Sequence, residues 1–459
     1  MAIFSAQFTR EIRQILRLCL PIFAANLSQT LMTFVDTTMA GTVSPTDLAA
    51  VAVATSIWLP VILLIQGLIM ALSPITAHFY GANDKASIPN ACWQAGYIGA
   101  ASVVLLVALS PLAKVIIDGM VDDPKLAALT LGYLEGIIWS APAFVVFQVL
   151  RNMSEGMDYT RPIMVIGLIG LMLNVPANYV FIYGKFGVPA LGGAGCGWAT
   201  SLVTWCMMIA MMIYVKHHKH YQQISLWQNI PGIHWRQVKS LLRLGVPISL
   251  SLFFEVSLFA AVALLISPLG AGHVAGHQVA INFSSMVFMV PLSIGMAITI
   301  RVGLNLGAKN EHAALYSVKC GIGFGLFIAI FTAVLTVLLR TQIANIYTDD
   351  SYVIELAASL LLLAALYQFP DTVQAIGAGA LRGMKDSKAI FVITLFSYWG
   401  VGLPIGYLLG LTDIFTPAMG AKGFWIGFIS GLSTAAVLFG IRLLQHRGSL
   451  VTPLPKHGG

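Results

Sequence analysis

Five acidic residues lie inside long apolar stretches of this 459-residue chain, and they are the first candidates for functional residues. The clearest is Glu255, the single ionisable residue between Pro247 and Gly270. A charge at membrane depth costs about 3 kcal/mol on insertion scales, and such residues usually face a bundle interior or a water-filled cavity. Glu255 therefore indicates an ion or substrate path. The structural alternative is a neutral, hydrogen-bonded glutamic acid that locks two helices together.

A second acid, Asp371, follows Pro370 in another apolar stretch. A proline inside a helix frees the carbonyl four residues earlier, here that of Leu366, and freed carbonyls at membrane depth can coordinate an ion. Tyr367 lies four residues before Asp371 and therefore on the same helix face. Two carboxylates, a phenol oxygen and a loosened backbone suit Na⁺, or a proton that the carboxylates share. We expect Glu255, Asp371 and Tyr367 to bind the cation; the alternative is a shared-proton pair that only joins helices.

Asp36 is the corresponding acid of the first half of the chain. Asn174 and Asn178 are four residues apart, so both amides project from one helix face. They could hydrogen-bond Asp36 across the bundle and tune its protonation, which would make the three residues a substrate or proton-coupling site. The alternative is a purely structural role, in which each amide forms an interhelical hydrogen bond worth about 1 kcal/mol. The other two acids, Glu135 and Glu355, lie nearer the ends of their stretches, where we expect water to reach them.

The composition places these acids in a membrane protein. Hydrophobic residues make up 58% of the chain and charged residues 9%, whereas soluble proteins carry about 25% charged residues. Twelve apolar stretches are long enough to span a bilayer as helices, and their length argues against an outer-membrane barrel. The predicted spans are residues 15–40, 48–80, 92–117, 128–150, 162–184, 192–215, 242–268, 274–306, 315–340, 352–381, 389–411 and 421–444.

The basic residues set the predicted orientation. Of the 25 Lys and Arg residues, 20 fall on one side of these spans. The five on the other side are Lys114, Lys125, Lys185, Arg340 and Lys422. The positive-inside rule therefore places both termini in the cytoplasm. It also accounts for the net charge of +7 without a nucleic-acid partner.

The chain also repeats itself. Residues Ile15–Ile22 read ILRLCLPI and Leu241–Ile248 read LLRLGVPI, with 5 of the 8 positions identical at an offset of 226. Further matches follow in both halves, including Gly195 with Gly423 at an offset of 228. Each half holds six predicted spans, an even number, so both halves enter the membrane from the same side as parallel repeats.

These repeats predict the architecture. We expect an all-α polytopic membrane protein with twelve transmembrane helices, arranged as two six-helix bundles related by a pseudo-twofold axis along the membrane normal. The N-terminal lobe is predicted at residues 1–215, a cytoplasmic linker at 216–241 and the C-terminal lobe at 242–459. Repeat-built transporters hold their substrate between such halves and alternate access around it. We therefore expect a transporter, functional as a monomer.

Motifs for other activities are absent from the sequence. It contains no HExxH, GxSxG or GxxxxGK[ST] motif, so a protease, an esterase and an ATP-driven pump are not expected. The five cysteines are scattered and form no CxxC pair, so neither disulfides nor a resident metal is expected. We predict that the protein is not an enzyme and uses no cofactor beyond Na⁺ or H⁺ as the coupling ion.

Five segments resemble the multidrug and toxic compound extrusion (MATE) family, most closely its bacterial NorM branch. They are Phe34–Thr37, Leu173–Tyr179, Gly192–Gly197, Phe253–Glu255 and Arg382–Gly383. The resemblance implies export of cationic or amphipathic compounds, such as dyes and fluoroquinolones, in exchange for inward Na⁺ or H⁺ across a bacterial inner membrane. It also implies cation binding at Glu255, Asp371 and Tyr367, and drug or proton coupling at Asp36.

A flippase for lipid-linked precursors, which would have a related fold, is the alternative function. Its cleft would have to be strongly basic to hold phosphates, whereas the central spans here offer acids. The sequence leaves open whether Na⁺ or H⁺ drives transport.

Overall fold

The structure, a computed structural model, describes residues 6–228 and 230–451. Residues 1–5 and 452–459, which belong to the predicted lobes, and Asn229 in the predicted linker lie outside the described residues. Within the described ranges the regular secondary structure is helical and contains no strand.

Among the described residues, eleven helical segments are long and apolar enough to span a membrane, and the bent helix pair Pro124–Ile138 and Ser140–Gly156, counted as one span, makes twelve. The predicted all-α fold with twelve spans is therefore confirmed. The helices of the first half are α1 (Ala6–Val43), α2 (Pro45–Met70), α3 (Leu72–Gly81), α4 (Ile88–Leu109), α5 (Pro111–Met120), α6 (Pro124–Ile138), α7 (Ser140–Gly156), α8 (Arg161–Tyr183), α9 (Gly195–His217) and α10 (Lys219–Gln222). Those of the second half are α11 (Trp235–Ile266), α12 (Ala271–Gly307), α13 (Glu311–Tyr347), α14 (Ser351–Gly383), α15 (Ser387–Leu395), α16 (Leu403–Leu411) and α17 (Ala421–Val451), with a π-helical segment, Phe396–Gly402, between α15 and α16.

Three of the predicted spans are interrupted. The span of α2 and α3 breaks at Ala71, and the span of α4 and α5 breaks at Ser110, just before Pro111. Since proline has no backbone N–H, a helix that reaches Pro111 loses one of its hydrogen bonds. Helices α6 and α7 meet at Trp139 with a bend of 43°.

The chain forms two compact units. The N-terminal unit is Leu20–Ser249, and the C-terminal unit is Leu250–Gly459 together with the chain up to Cys19. Helices α1 and α11 therefore each contribute to both units, whereas the predicted lobes kept each of these helices in a single lobe. The lobe and linker boundaries stay a prediction.

The sequence repeat is visible in the backbone. Asn83 and Lys309, 226 residues apart, follow helix ends with φ of 58° and 59°. Asp158 and Lys385, 227 residues apart, do the same with φ of 63° and 62°. The backbone hydrogen bonds around each pair also match. Since positive φ is uncommon outside glycine, the matching pairs support a duplication of the fold.

In the C-terminal unit, an ion pair holds the first part of α1. Arg301 of α12 donates from Nε and Nη2 to the two carboxylate oxygens of Glu11, at 3.0 and 2.8 Å. The Ser317 hydroxyl of α13 also donates to Glu11, at 2.6 Å. Bidentate arginine–carboxylate pairs are among the stronger polar contacts in proteins, so α1 is fixed against both helices.

In the N-terminal unit, the first part of α11 is held by close backbone contact instead. The Ser249 hydroxyl donates to the Leu64 carbonyl at 2.8 Å. A Cβ on Gly67 would lie 2.5 Å from the Ser249 Cα, and one on Gly245 would lie 2.6 Å from the Leu68 carbonyl oxygen. Only glycine allows the two helices to approach so closely.

Candidate functional sites

The buried carboxylate of Asp36 is the centre of the site in the N-terminal unit. Asn174 and Asn178 of α8 donate from Nδ2 to Asp36 Oδ1, at 3.0 and 2.6 Å. Thr200 of α9 donates from Oγ1 to Asp36 Oδ2 at 3.0 Å. Asp36 is 5% exposed, and both asparagines are fully buried. The predicted hydrogen bonds between Asp36 and the two asparagines are confirmed, while their role in coupling stays a prediction.

These contacts leave one acceptor open. All three neighbours donate to Asp36, so together they complement an ionised carboxylate. The amide oxygen Oδ1 of Asn178 is buried and has no hydrogen-bond partner in the described part of the chain. A vacant acceptor beside a carboxylate suits a donor that carries positive charge, such as an ammonium group. The Thr200 hydroxyl can rotate to accept instead of donate, so the site can also take up a proton.

Thr200 was missed by the sequence analysis, although the glycines before α9 carried a signal for it. The glycine-rich segment Gly192–Gly197 begins as a short 3₁₀ turn, Gly192–Ala194, that runs directly into α9. A Cβ on Gly195 would lie 2.7 Å from the Phe181 carbonyl carbon. This close approach draws α9 against α8, and Thr200, more than one turn further along α9, reaches Asp36.

The second site lies in the C-terminal unit, where α14 carries Tyr367 and Asp371, which are 7% and 3% exposed. Glu255 of α11 is half-buried. The charges of Glu255 and Asp371 act on each other and on the Tyr367 hydroxyl, so the three groups lie within electrostatic reach. The structure thus gathers all three predicted residues in one region, while cation binding by them stays a prediction.

Neither carboxylate of this pair has a hydrogen-bond partner among the residues that the structure describes. Two like charges in an apolar interior repel each other and lose their hydration. The pair is therefore suited to bind a positive species that supplies the missing interactions.

Two small cavities adjoin the site, each with a volume of about 10 Å³. That is about the space that a single water occupies, and a dehydrated small ion is of similar size. Tyr367 lines both cavities, and Asp371 lines the first. Ser284 of α12 also lines the first cavity, and its buried hydroxyl has no hydrogen-bond partner among the described residues. Ser284 is thus a further candidate oxygen ligand, and the sequence analysis did not find it.

The π-helical segment Phe396–Gly402 brings another group to the site. Tyr398 is 3% exposed and lies within electrostatic reach of Glu255, Asp371 and Tyr367. The segment is joined to α11 by the Trp399 Nε1, which donates to the Phe254 carbonyl at 3.0 Å. Single π-helical turns inside α-helices are frequent at functional sites. The sequence signal for the segment was Pro404, which frees the carbonyl of Gly400 within it.

Arg382, near the end of α14, supplies positive charge to the same region. Its guanidinium acts electrostatically on Glu255. In the sequence analysis Arg382 was named only as part of a segment that resembles the MATE family, with no role of its own. In the structure it is a counter-charge for one of the two carboxylates, so a single bound cation would suffice to balance the other.

The donor set of this site suits a hard cation. No group of three His, Cys, Asp or Glu side chains converges among the described residues as it would for a tightly bound metal ion. Carboxylate, hydroxyl and phenol oxygens at Asp371, Ser284 and Tyr367 suit Na⁺ or a proton.

The chain is similar to known proteins over almost its whole length. The MatE family model matches residues 21–180 and 247–408. The probable multidrug resistance protein NorM of Shewanella oneidensis is 52% identical over 436 residues, which cover 94% of each chain. The multidrug resistance protein MdtK of Edwardsiella ictaluri is 50% identical over 438 residues, which cover 95% of this chain and 96% of that protein.

Solved structures show the same fold. A MATE in complex with MaL6 aligns with a TM-score of 0.87 at 20% identity, covering 96% of this chain and 97% of that chain. The eukaryotic MATE transporter AtDTX14 aligns with a TM-score of 0.84 at 19% identity, covering 97% of this chain and 100% of that chain. Since the family model covers well over half of the residues and both curated relatives share about half of their sequence with this protein, the chain belongs to the MatE family.

Proposed function

We propose that this protein is a multidrug efflux antiporter, which exports cationic or amphipathic compounds in exchange for inward Na⁺ or H⁺. The observation that carries the proposal is the grouping of Glu255, Asp371 and Tyr367 in a membrane-spanning unit. Asp371 and Tyr367 of this group line an ion-sized cavity. Ionisable residues at such depth are costly and typically serve transport. The names of the two curated relatives support the same function.

In this proposal the C-terminal unit binds the coupling ion. Asp371, Ser284 and Tyr367 offer oxygen ligands around the first cavity. A cation bound there removes the repulsion between Asp371 and Glu255, because it adds one positive charge next to two negative ones. Its arrival and departure therefore change the electrostatic balance among α11, α14 and the π-helical segment, which is the change that transport requires.

The N-terminal unit couples this step to the substrate or to a proton. Asp36 holds a negative charge among three donors, and Asn178 Oδ1 is an open acceptor beside it. A cationic substrate with an N–H group can donate to Asn178 and be balanced by Asp36. The two asparagines thereby act as positioning residues for the Asp36 carboxylate.

The proposal also includes the setting of the protein. We place it in a bacterial inner membrane with both termini in the cytoplasm and with the monomer as the transporting form. The chain performs transport and no catalytic reaction, and its partners are small cationic molecules, Na⁺ or H⁺ and the bilayer.

Efflux of a fluorescent cationic dye from proteoliposomes tests the proposal. The purified full chain is reconstituted, and a Na⁺ gradient and a pH gradient are imposed separately. We expect Glu255→Gln to lower coupled efflux at least about 100-fold, since removal of a charge that acts only in the coupled step can cost roughly 3 kcal/mol. Asp349→Asn is the control for loss of an acid, because Asp349 is exposed in the same unit and lines neither the site nor the cavities described below.

The outcomes separate the possibilities. Efflux driven by Na⁺ alone identifies the Asp371 region as a Na⁺ site, and efflux driven only by the pH gradient makes the same acids proton carriers. Full efflux by Glu255→Gln overturns the assignment of the site. Absence of wild-type efflux under both gradients overturns the antiporter proposal and favours the alternative function as a flippase.

A further inference from the structure

A cavity of about 810 Å³ in the N-terminal unit belongs to neither of the sites described above. It is lined by residues of α2, α4, α5 and α6 and by Ser110, where α4 and α5 meet. Its walls are mostly apolar, with Trp58, Leu105 and Leu134 among the lining residues. Pockets of about 300–1,000 Å³ commonly hold small-molecule ligands. The cavity is thus large enough for part of an amphiphile.

Two opposite charges line this otherwise apolar cavity, Lys114 of α5 and Glu135 of α6. Both side chains are exposed, and neither makes a hydrogen bond or an ion pair with any described residue. Lys114 is one of the five bases predicted on the side of the membrane that carries few of them. An acid and a base that line the same apolar cavity without forming an ion pair with each other can bind a ligand that carries one positive and one negative charge.

The C-terminal unit contains a second cavity of the same kind, with a volume of about 480 Å³. Arg340 of α13 lines it, 226 residues after Lys114 and therefore at the equivalent position of the repeat. Glu355 of α14 supplies the acid. The two bases are thus at equivalent positions of the repeat, whereas the two acids, Glu135 and Glu355, are not. Each half therefore places an acid beside this base at a different position.

We propose that the cavity lined by Lys114 and Glu135 binds one zwitterionic phospholipid that carries a primary amine. Lys114 attracts the phosphate, as basic side chains near a membrane surface do. The ammonium group donates to the Glu135 carboxylate in a charge-assisted hydrogen bond. One acyl chain lies along the apolar wall that includes Leu105 and Leu134.

The charges select this ligand over other amphiphiles. A lipophilic cation would pair with Glu135 but would bring a like charge towards Lys114. An anionic phospholipid would pair with Lys114 and leave Glu135 without a partner. A zwitterion with a quaternary amine can approach Glu135 but cannot donate a hydrogen bond to it. Only the zwitterion with a primary amine satisfies both residues.

The smaller cavity should bind the same headgroup more weakly. Its lining includes the polar residues Thr341 and Ser359, and Ile354 and Leu362 are its larger apolar side chains. It therefore offers little wall for an acyl chain, and burial of apolar surface is what adds most to lipid affinity.

Native mass spectrometry of the full chain tests the proposal. The protein is released from vesicles that contain phosphatidylethanolamine, phosphatidylcholine and phosphatidylglycerol in equal amounts, and the retained lipids are identified. We expect phosphatidylethanolamine to be retained about fivefold more often than the other two, which is the scale of one partly exposed charged contact. Glu135→Gln should lower the preference over phosphatidylcholine to the weaker contribution of the smaller cavity, and Lys114→Gln should lower retention of all three phospholipids.

Two matched controls come from neighbouring residues that do not line the cavity. Asp118→Asn removes another exposed acid, four residues from Lys114 on α5, and Lys125→Gln removes another exposed base, close in sequence to Glu135. Both control variants should retain lipids as the wild type does, and gel filtration confirms that all four variants are folded.

Three results would overturn the proposal. The first is equal retention of the three phospholipids by the wild type. The second is an unchanged lipid preference in Glu135→Gln. The third is Glu135-dependent binding of tetraphenylphosphonium without retention of phosphatidylethanolamine, which would make the cavity a site for lipophilic cations. None of these measurements requires transport, so the outcome is independent of the proposed antiport.

Discussion

The two units share a repeated backbone but differ in the hydrogen bonds that they provide to their buried acids. In the N-terminal unit the carboxylate of Asp36 receives three hydrogen bonds. In the C-terminal unit Glu255 and Asp371 receive none from described residues and face each other's charge. Three donated hydrogen bonds favour the ionised form of a carboxylate, whereas two carboxylates without such bonds favour the approach of a cation. The first suits recognition of a donor, and the second suits binding and release of an ion.

The register of the repeat shows that the two sites are not copies of one ancestral site. The residues that build the Asp36 site are replaced in the second half by apolar or small residues at the equivalent positions. These are Val262 for Asp36, Gly402 for Asn174, Gly406 for Asn178 and Phe428 for Thr200. In the first half, Gln29 stands at the position equivalent to Glu255. Duplication therefore supplied the scaffold, and each half developed its polar site at a different place.

The largest expected effect comes from removing one acid at a time from the two sites. Asp371→Asn should lower binding of ²²Na⁺, or proton uptake if H⁺ is the coupling ion, about 100-fold, because a neutral amide no longer balances the cation. Asp36→Asn should leave cation binding within about twofold, since it is part of a separate site in the other unit. Direct binding to the purified protein is the measurement.

Binding of the dye in the absence of a gradient is the reciprocal test. Asp36→Asn should weaken it, and Asp371→Asn should leave it nearly unchanged. If both variants lose both activities to the same extent, the two acids act as one site, and the contrast between the units no longer holds.

A second prediction concerns the different means by which α1 and α11 are anchored. Glu11→Gln should lower the free energy of unfolding by about 2 kcal/mol, because it leaves the mostly buried Arg301 guanidinium without its carboxylate. Gln237 stands at the position equivalent to Glu11, and its amide oxygen has no hydrogen-bond partner in the described part of the chain. Gln237→Ala should therefore cost less than about 0.5 kcal/mol.

Thermal unfolding in detergent measures both changes. Asp349→Asn controls for net charge, since Asp349 is exposed and makes no ion pair with any described residue. A loss of stability in Gln237→Ala as large as that in Glu11→Gln would show that the two helix starts are anchored by similar means after all.

A smaller effect is expected at the hydrogen bonds of Asp36. Asn178→Ala should weaken dye binding about tenfold, since it removes both a donor to a charged group and the open acceptor. Thr200→Val should cost only about threefold, because the two asparagine donors remain. Equilibrium binding of the dye gives both values. Equal losses in the two variants would indicate that Asn178 Oδ1 does not contact the substrate.

The fold and the principal acids could be predicted from the sequence because both produce local signals. Apolar runs of about 20 residues mark spans, and the offset of 226 marks the repeat. An acid such as Glu255 in an apolar run is conspicuous by itself, and the spacing of Asn174 and Asn178 places two amides on one helix face.

The remaining parts of the sites depend on contacts for which the sequence carries only indirect signals. Thr200 and Ser284 are hydroxyl residues in apolar helices, where such residues usually bond to their own backbone. Tyr398 became part of the C-terminal site through the π-helical segment, and Pro404 marks that segment without showing which neighbours it packs against. The break at Ala71 was hidden because both of its sides are equally apolar, whereas Pro111 marks the break at Ser110.

The smallest predicted effect contrasts the response of the two units to acid at turns outside the spans. In the N-terminal unit, burial lowers the pKa of His220 in the short helix α10. A backbone hydrogen bond with Met157 and the charge of Asp158 oppose this shift, and the charges of His218 and Lys85 add to it. A histidine with a lowered pKa destabilises the folded state as the pH falls, because the unfolded chain binds the proton first. The loss should begin near pH 6.5, the ordinary value for histidine.

In the C-terminal unit, Asp386 lies in the turn between α14 and α15. Burial raises its pKa, but hydrogen bonds from His446 at 2.8 Å and Arg442 at 2.7 Å outweigh burial, so the pKa lies below its ordinary value. A carboxyl group with a lowered pKa stabilises the folded state above its unfolded value and loses that contribution as the pH falls. The stabilising contribution of Asp386 should therefore be lost only below about pH 4.

Thermal unfolding measured from pH 7 to pH 3 tests this contrast. His220→Gln should flatten the dependence between about pH 6.5 and 5, and Asp386→Asn should flatten it only below about pH 4. Each effect should be less than about 1 kcal/mol, because both side chains are partly exposed to solvent. If His220→Gln leaves the dependence between about pH 6.5 and 5 unchanged, burial of the His220 ring does not affect stability in mild acid. Helix α10 would then be as insensitive to mild acid as the turn that contains Asp386.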